Sequence, residues 1–185
     1  FSVHIPSLGL SGSTDTLEVQ NANLANVALT ASSTNLVAGE TFDLLIEGFD
    51  VFGNPYVVQT NSDLEISDSA SGLNQTQAQI GADGMATLSG VALNRTGDPV
   101  VLSVSQAGVL LGQEQFVVTH GPVDRLEVDT FRSWAWVGQP QEVAVFALDA
   151  YGNRVLDFVE SVQLASSQAA FLTQGAGTPS GGMYL

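Results

Sequence analysis

Residues 41–54 read TFDLLIEGFDVFGN, and this stretch decides the fold. In Thr41-Phe42-Asp43-Leu44-Leu45-Ile46-Glu47, the apolar residues Phe42, Leu44 and Ile46 take every second position and mostly polar groups lie between them. Successive side chains of a strand point to opposite faces, so this alternation predicts a strand with one buried and one wet face. The run ends in Asp50-Val51-Phe52-Gly53-Asn54-Pro55. Glycine and asparagine tolerate positive φ, an aspartate can accept the N–H groups a turn leaves unpaired, and Pro55 presets φ for re-entry into an extended strand. Asp50, Gly53 and Asn54 are therefore read as a structural turn, not as catalytic groups.

The stretch recurs. Gly53-Asn54 returns as Gly152-Asn153, 99 positions later, and the same offset carries Asp50 to Asp149, Phe52 to Tyr151, Gly39 to Gly138, Gly9 to Gly108 and Leu17 to Phe116. Near the end it slips to 98, where Gly84-Met85 meets Gly182-Met183. Asp149, Gly152 and Asn153 thus form a second structural turn. Alternation continues outside the turns: Val100, Leu102 and Val104 alternate with Ser103 and Ser105, and their counterparts Phe1, Val3 and Ile5 alternate with Ser2, His4 and Pro6. Helical spacing with caps is nowhere convincing. Short strands, frequent turn signals and a unit of about 100 residues predict an all-β chain of tandem immunoglobulin-like β-sandwiches, with a repeat of about 99 residues. By phase, residues 1–22 are the C-terminal strands of one repeat, 23–121 a complete repeat, and 122–185 the N-terminal part of a following one, with His120 to Asp124 as linker. The expected context is a longer array. The sharper alternative is a fibre subunit whose first strands complete the open sandwich of an identical chain.

Three elements in fixed order carry a family resemblance: the Asp50 to Pro55 turn, Ala82-Asp83-Gly84-Met85-Ala86-Thr87-Leu88, and the apolar strand from Val100 to Gly108. In these the unit resembles the bacterial Ig-like (Big-like) tandem repeats of invasin- and intimin-type surface adhesins. The second copy departs from the pattern, with Arg154 in place of Pro55 and Gly181-Gly182 in place of Asp83-Gly84. The resemblance implies rods of repeats that project a distal binding domain from a bacterial cell surface. Their partners would be neighbouring repeats, and the distal ligand is not encoded here.

Composition narrows the function classes. Four basic residues against 19 acidic ones give a net charge of −15. Such a field repels phosphate backbones, which argues against nucleic acid, and it keeps a crowded surface protein soluble. The absence of cysteine removes thiolate zinc sites, thiol catalysis and disulfides. No apolar run approaches the roughly 18 residues of a membrane helix, so direct membrane insertion is not expected. The chain opens on Phe1 without a charged-then-apolar leader, which reads as a fragment or a processed product.

Candidate chemistry is sparse. Calcium is the one cofactor considered, and its candidate ligands are Asp124, Glu127 and Asp129 near the linker. The equivalent stretch from Asn21 to Thr30 carries no acid, and Asp63, Glu65 and Asp68 fit no calcium-loop spacing, so solvated acids are the favoured reading. His4 and His120 are not repeat equivalents and have no metal-binding spacing. No G-x-S-x-G nucleophile motif exists, and Gly175 to Gly182 lacks the lysine of a phosphate loop, so an enzyme is not expected. Asn74-Gln75-Thr76 and Asn94-Arg95-Thr96 match the glycan acceptor pattern but are read as turn residues. Trp134 and Trp136 are expected to fill core and edge. The alternative is a carbohydrate- or protein-binding surface with Phe131, which burial of both indoles would remove.

Overall fold

The structure, a computed structural model, describes residues 2–13, 20–57, 61–134, 136, 139 and 142–163, and the backbone of 183–184. Phe1, Leu17, Gly138 and the whole glycine-rich stretch from Gly175 to Gly182 lie outside the described residues. In chain order the strands are β1 (Ser2–Ile5), β2 (Leu10–Ser13), β3 (Leu24–Ala31), β4 (Asn35–Val37), β5 (Thr41–Asp50), β6 (Ser62–Asp68) and β7 (Gln77–Ile80). They continue with β8 (Met85–Ala92), β9 (Gly97–Gln106), β10 (Val109–Thr119), β11 (Arg125–Thr130), β12 (Val143–Leu148) and β13 (Met183–Tyr184). A single 3-10 turn, Pro6–Leu8, separates β1 from β2.

Strands β3 to β10 form two sheets, β3-β5-β8 and β4-β10-β9-β6-β7. The chain changes sheet between β3 and β4, and β4 then runs parallel to β10 while every other pairing in the two sheets is antiparallel. The core lies between them. Phe42, Leu44 and Ile46 of β5 are buried, as the alternation of the first sheet's central strand requires. They face Leu64 and Ile66 of β6, Val100, Leu102 and Val104 of β9, and Phe116 and Val118 of β10. The rings of Phe42 and Phe116 meet across the sandwich with centroids 5.0 Å apart. Each such side chain removed from water contributes roughly 1.5–3 kcal/mol. We call this unit the central sandwich.

A C-terminal sheet, β11-β12-β13, repeats the register of β3-β5-β8. Asn26 pairs with Phe49 and Val27 with Gly48, and Arg125 pairs with Leu148 and Leu126 with Ala147. Likewise Ile46 pairs with Ala86 and Glu47 with Met85, and Val145 pairs with Tyr184 and Phe146 with Met183.

Two expectations fail. The β1–β2 hairpin exposes both faces, including Val3 and Ile5, because among the described residues no second sheet packs on it. Strand β11 is exposed along its whole length, and Trp134 and Trp136 beyond it are 58% and 72% exposed, so neither indole fills a core. Their segment runs past the last paired residue of β11, where no opposing sheet closes over it among the described residues.

Candidate functional site at the junction of central sandwich and C-terminal sheet

The two D-x-x-G-N segments fold into the same turn. Asp50 N–H donates to the Asn54 carbonyl at 2.9 Å and Gly53 N–H to the Asp50 carbonyl at 3.0 Å. The distances for Asp149, Asn153 and Gly152 are 2.9 and 3.0 Å. Gly53 and Gly152 have φ of 80° and 82°, a region strained for any residue with a Cβ. The aspartate organises each turn from inside. Asp50 Oδ1 accepts the N–H groups of Phe52 and Asn54, both at 2.9 Å. Asp149 Oδ1 accepts those of Tyr151 and Asn153, at 2.9 and 2.8 Å.

The second carboxylate oxygen reaches into the segment that precedes the sheet. Asp50 Oδ2 accepts Ala22 N–H at 3.3 Å, and Asp149 Oδ2 accepts Gly121 N–H at 3.0 Å. One side chain therefore holds both the turn and the incoming linker. The motif is a clasp as well as a turn.

Around the second turn the clasp extends into the central sandwich. Asn153 Nδ2 donates to the Asn94 carbonyl at 2.9 Å, and Asn153 Oδ1 accepts Thr96 N–H at 3.2 Å. The Tyr151 ring lies against Gly39 of the β4–β5 turn so closely that a Cβ on Gly39 would overlap it. Arg95 Nη1 donates to the Tyr151 carbonyl at 3.4 Å, and Arg125 Nη1 to the Asp149 carbonyl at 3.3 Å. Arg154 stacks on Phe146, its guanidinium carbon 4.1 Å from the ring centroid. In the linker, His120 Nε2 lies 3.1 Å from Asp157 Oδ1 and its Nδ1 lies 3.0 Å from the Gly121 carbonyl. Three of the chain's four basic residues, Arg95, Arg125 and Arg154, thus sit at or beside this junction.

Asp50 and Asp149 are each 1% exposed. Burial opposes ionisation of Asp149, but the bonds from the Asn153 side chain and from the N–H groups of Gly121, Asn153 and Tyr151 outweigh it and hold the carboxyl below its ordinary value of 3.8. For Asp50 burial is likewise outweighed, by the Asn54 side chain and the N–H groups of Asn54, Phe52 and Ala22. A folded pKa below the unfolded one means that the stabilisation is fully present above about pH 4 and is lost as pH falls through the folded value. Thermal melts recorded down an acid series should hold steady to about pH 4 and then fall, and Asp149→Asn should flatten the part of that fall due to the second turn.

Among the described residues no three acidic or histidine side chains gather into a metal-binding group, and Asp124, Glu127 and Asp129 lie along the exposed β11 edge. Asp124 is 3.8 Å from the Arg125 guanidinium. His4 is exposed on β1 and pairs only by register with Ser11. Phe131 is exposed, and the indoles of Trp134 and Trp136 meet edge to face at 6.1 Å with the Arg132 guanidinium 5.6 Å from the Trp134 ring. Asp68, grouped by sequence with solvated acids, is a third turn-capping aspartate. It accepts the N–H groups of Ala70, Gly72 and Leu73 at 2.8, 3.0 and 2.9 Å. Its signal was Gly72 four residues on, placed as Asn54 is after Asp50. The partners of Tyr151 and Asn153 had no such signal, since Gly39 and Asn94 to Thr96 are far from them in sequence.

No family model matches the sequence, and no curated protein matches it. Among solved structures the chain is similar to the Escherichia coli adhesin FdeC, with a TM-score of 0.51 and 17% identity over 90% of this chain and 56% of that one. It is also similar to the Yersinia pseudotuberculosis adhesin InvE, with a TM-score of 0.46 and 26% identity over 69% of this chain and 36% of that one. The chain therefore spans little more than half the length of the first and about a third of the second. At these identities the likeness bears on architecture alone: the chain is an all-β protein of immunoglobulin-like sandwiches and shares that fold with FdeC.

Proposed function

We propose that the chain is a non-enzymatic spacer, part of a stalk of immunoglobulin-like repeats in a bacterial cell-surface adhesin or extracellular fibrous protein. In this reading 1–22, 23–121 and 122–185 belong to three successive repeats. One observation carries it: the same turn that folds each unit also clasps the linker before it, and at the second turn Asn153 bonds the loop of the unit before. A junction held by backbone bonds from a turn, a buried carboxylate and an aromatic ring against a glycine resists bending. Fixed junctions convert a number of repeats into a reach, which is what a stalk supplies. The adhesin neighbours FdeC and InvE agree with that setting.

The test is the rigidity of the junction. The chain has no cysteine, so spin labels go only where they are placed. Labels on the exposed sites of Gln115→Cys and Asp129→Cys should give a single narrow distance distribution. A broad distribution in the unsubstituted background would remove the stalk reading. Gly39→Ala, which displaces the Tyr151 ring and strains a φ of 83°, should broaden it.

A second reading has one observation in its favour. The exposed Phe131, Trp134 and Trp136 offer aromatic area of the kind used to bind carbohydrate or protein. Their edge-to-face geometry presents one indole face and one indole edge, not the coplanar pair on which a run of sugars stacks.

A further inference from the structure

We propose that the end of the central sandwich bearing Val51, Phe52 and Asn54 is a docking face for another immunoglobulin-like repeat, which seats on it as the central sandwich seats on Tyr151 and Asn153. The inference rests on the stalk reading and names the surface and the chemistry of the partner.

The comparison between the two turns carries it. They share backbone geometry, the internal aspartate and the bond to the linker, but one is covered and the other is bare. Asn153 is 6% exposed and bridges to the Asn94 carbonyl and Thr96 N–H, whereas Asn54 is exposed and bonds only Asp50 among the described residues. Tyr151 is 43% exposed with its ring on Gly39, whereas Phe52, its counterpart, is 80% exposed. Val51 and Val57 beside it are 67% and 57% exposed. The clasp at this end is half made. Ala22 N–H reaches Asp50 Oδ2, and Asn21 Nδ2 donates to the Pro55 carbonyl at 2.6 Å, so the incoming strand is already aimed across the turn.

Phe52 lies outside its own unit's core, and with Val51 and Val57 it leaves apolar side chains exposed at a turn whose counterpart is covered. The covered turn specifies the occupant. It presents a glycine in a left-handed turn, flat enough to receive a ring, and a loop that offers a backbone carbonyl and an N–H two residues apart. Asn54 can serve that carbonyl and N–H through its amide as Asn153 does, since one amide donates twice and accepts twice. Phe52 lacks a hydroxyl, so its contact with the glycine turn is purely apolar.

The experiment compares hydroxyl-radical oxidation of Phe52 in this chain alone with that in the native polypeptide that carries it. In the native polypeptide Phe52 should oxidise about twofold more slowly, as the fall from 80% to 43% exposure implies. Phe52→Ser should leave melting of the isolated chain unchanged, because the ring is 80% exposed there, and should lower the melting of the central sandwich in the native polypeptide. Equal Phe52 oxidation in both forms would overturn the proposal, including the case in which no repeat precedes the chain. If the spin-label distances between Gln115→Cys and Asp129→Cys remain narrow in that event, the stalk reading survives and only the docking face is lost. If those distances are broad, the stalk reading itself has failed.

Discussion

Asp149→Ala should free the C-terminal sheet from the central sandwich without unfolding the latter. The carboxylate accepts four hydrogen bonds, from Tyr151 N, Asn153 N, Gly121 N and Asn153 Nδ2, at 2.8 to 3.0 Å. Alanine replaces none of them. Gly121 and Asn153 are buried, so their N–H groups would be left without a partner or would have to reach water. An unsatisfied buried polar group costs about 1–3 kcal/mol, which puts the loss at about 3 kcal/mol for the pair. Hydrogen exchange reads it directly. The Gly121, Tyr151 and Asn153 amides should exchange about a hundredfold faster, and those of Leu44 and Leu102 in the central core should be unchanged. Asn153 would lose its anchor as well, so the Thr96 amide across the junction should lose protection too. Unchanged exchange at Gly121 would show that the linker is not held by this carboxylate.

Phe116→Ala should cost the central sandwich more than any other single truncation. The ring is 1% exposed, lies between the sheets and packs against Phe42. Large-to-small changes of a buried phenylalanine cost about 3–5 kcal/mol, as lost transfer energy plus the residual cavity. For a unit of this size that amounts to a fall in melting temperature of roughly 12–40 °C. Phe116→Leu keeps most of the volume and should cost about 1–2 kcal/mol. The junction contacts lie at the end of the sandwich, so spin-label distances across it should stay narrow while the core is weakened. A melting loss confined to a few degrees would mean that the two sheets can close over the cavity.

These two predictions separate what each residue type does. Phe116 stabilises by area and shape, independent of pH. Asp149 stabilises by accepting hydrogen bonds as an anion, so its contribution fades in acid. Comparing the two variants along the acid series distinguishes the contributions: the deficit of Phe116→Ala should persist at low pH, and that of Asp149→Ala should shrink as the native carboxylate protonates.

The strands were legible because their information is local. Period-two alternation in residues 41–47 and 100–104 places Phe42, Leu44, Ile46, Val100, Leu102 and Val104 on buried faces, where the structure has them. Turn chemistry is local too, and the aspartate, glycine and asparagine of each D-x-x-G-N segment lie within five residues of one another. The same logic failed where burial depends on what packs from elsewhere. Val3 and Ile5 alternate as core residues do, yet face water because among the described residues no second sheet covers their hairpin. Trp134 and Trp136 are large and apolar, and the sequence could not say that β11 lies open.

The sequence by itself determined the all-β class, the immunoglobulin-like pattern, the alternating faces and the two structural turns, since each follows from spacing and from backbone preferences of single residues. Only the tertiary structure decided that the turns are clasps. Gly39, Asn94 to Thr96 and Arg95 lie 56 or more positions from their partners in the second turn, and no periodicity links them. Their contact is set by how the central sandwich ends against the C-terminal sheet, a long-range geometry in which a buried carboxylate, an amide and a ring each need a partner that local sequence does not supply.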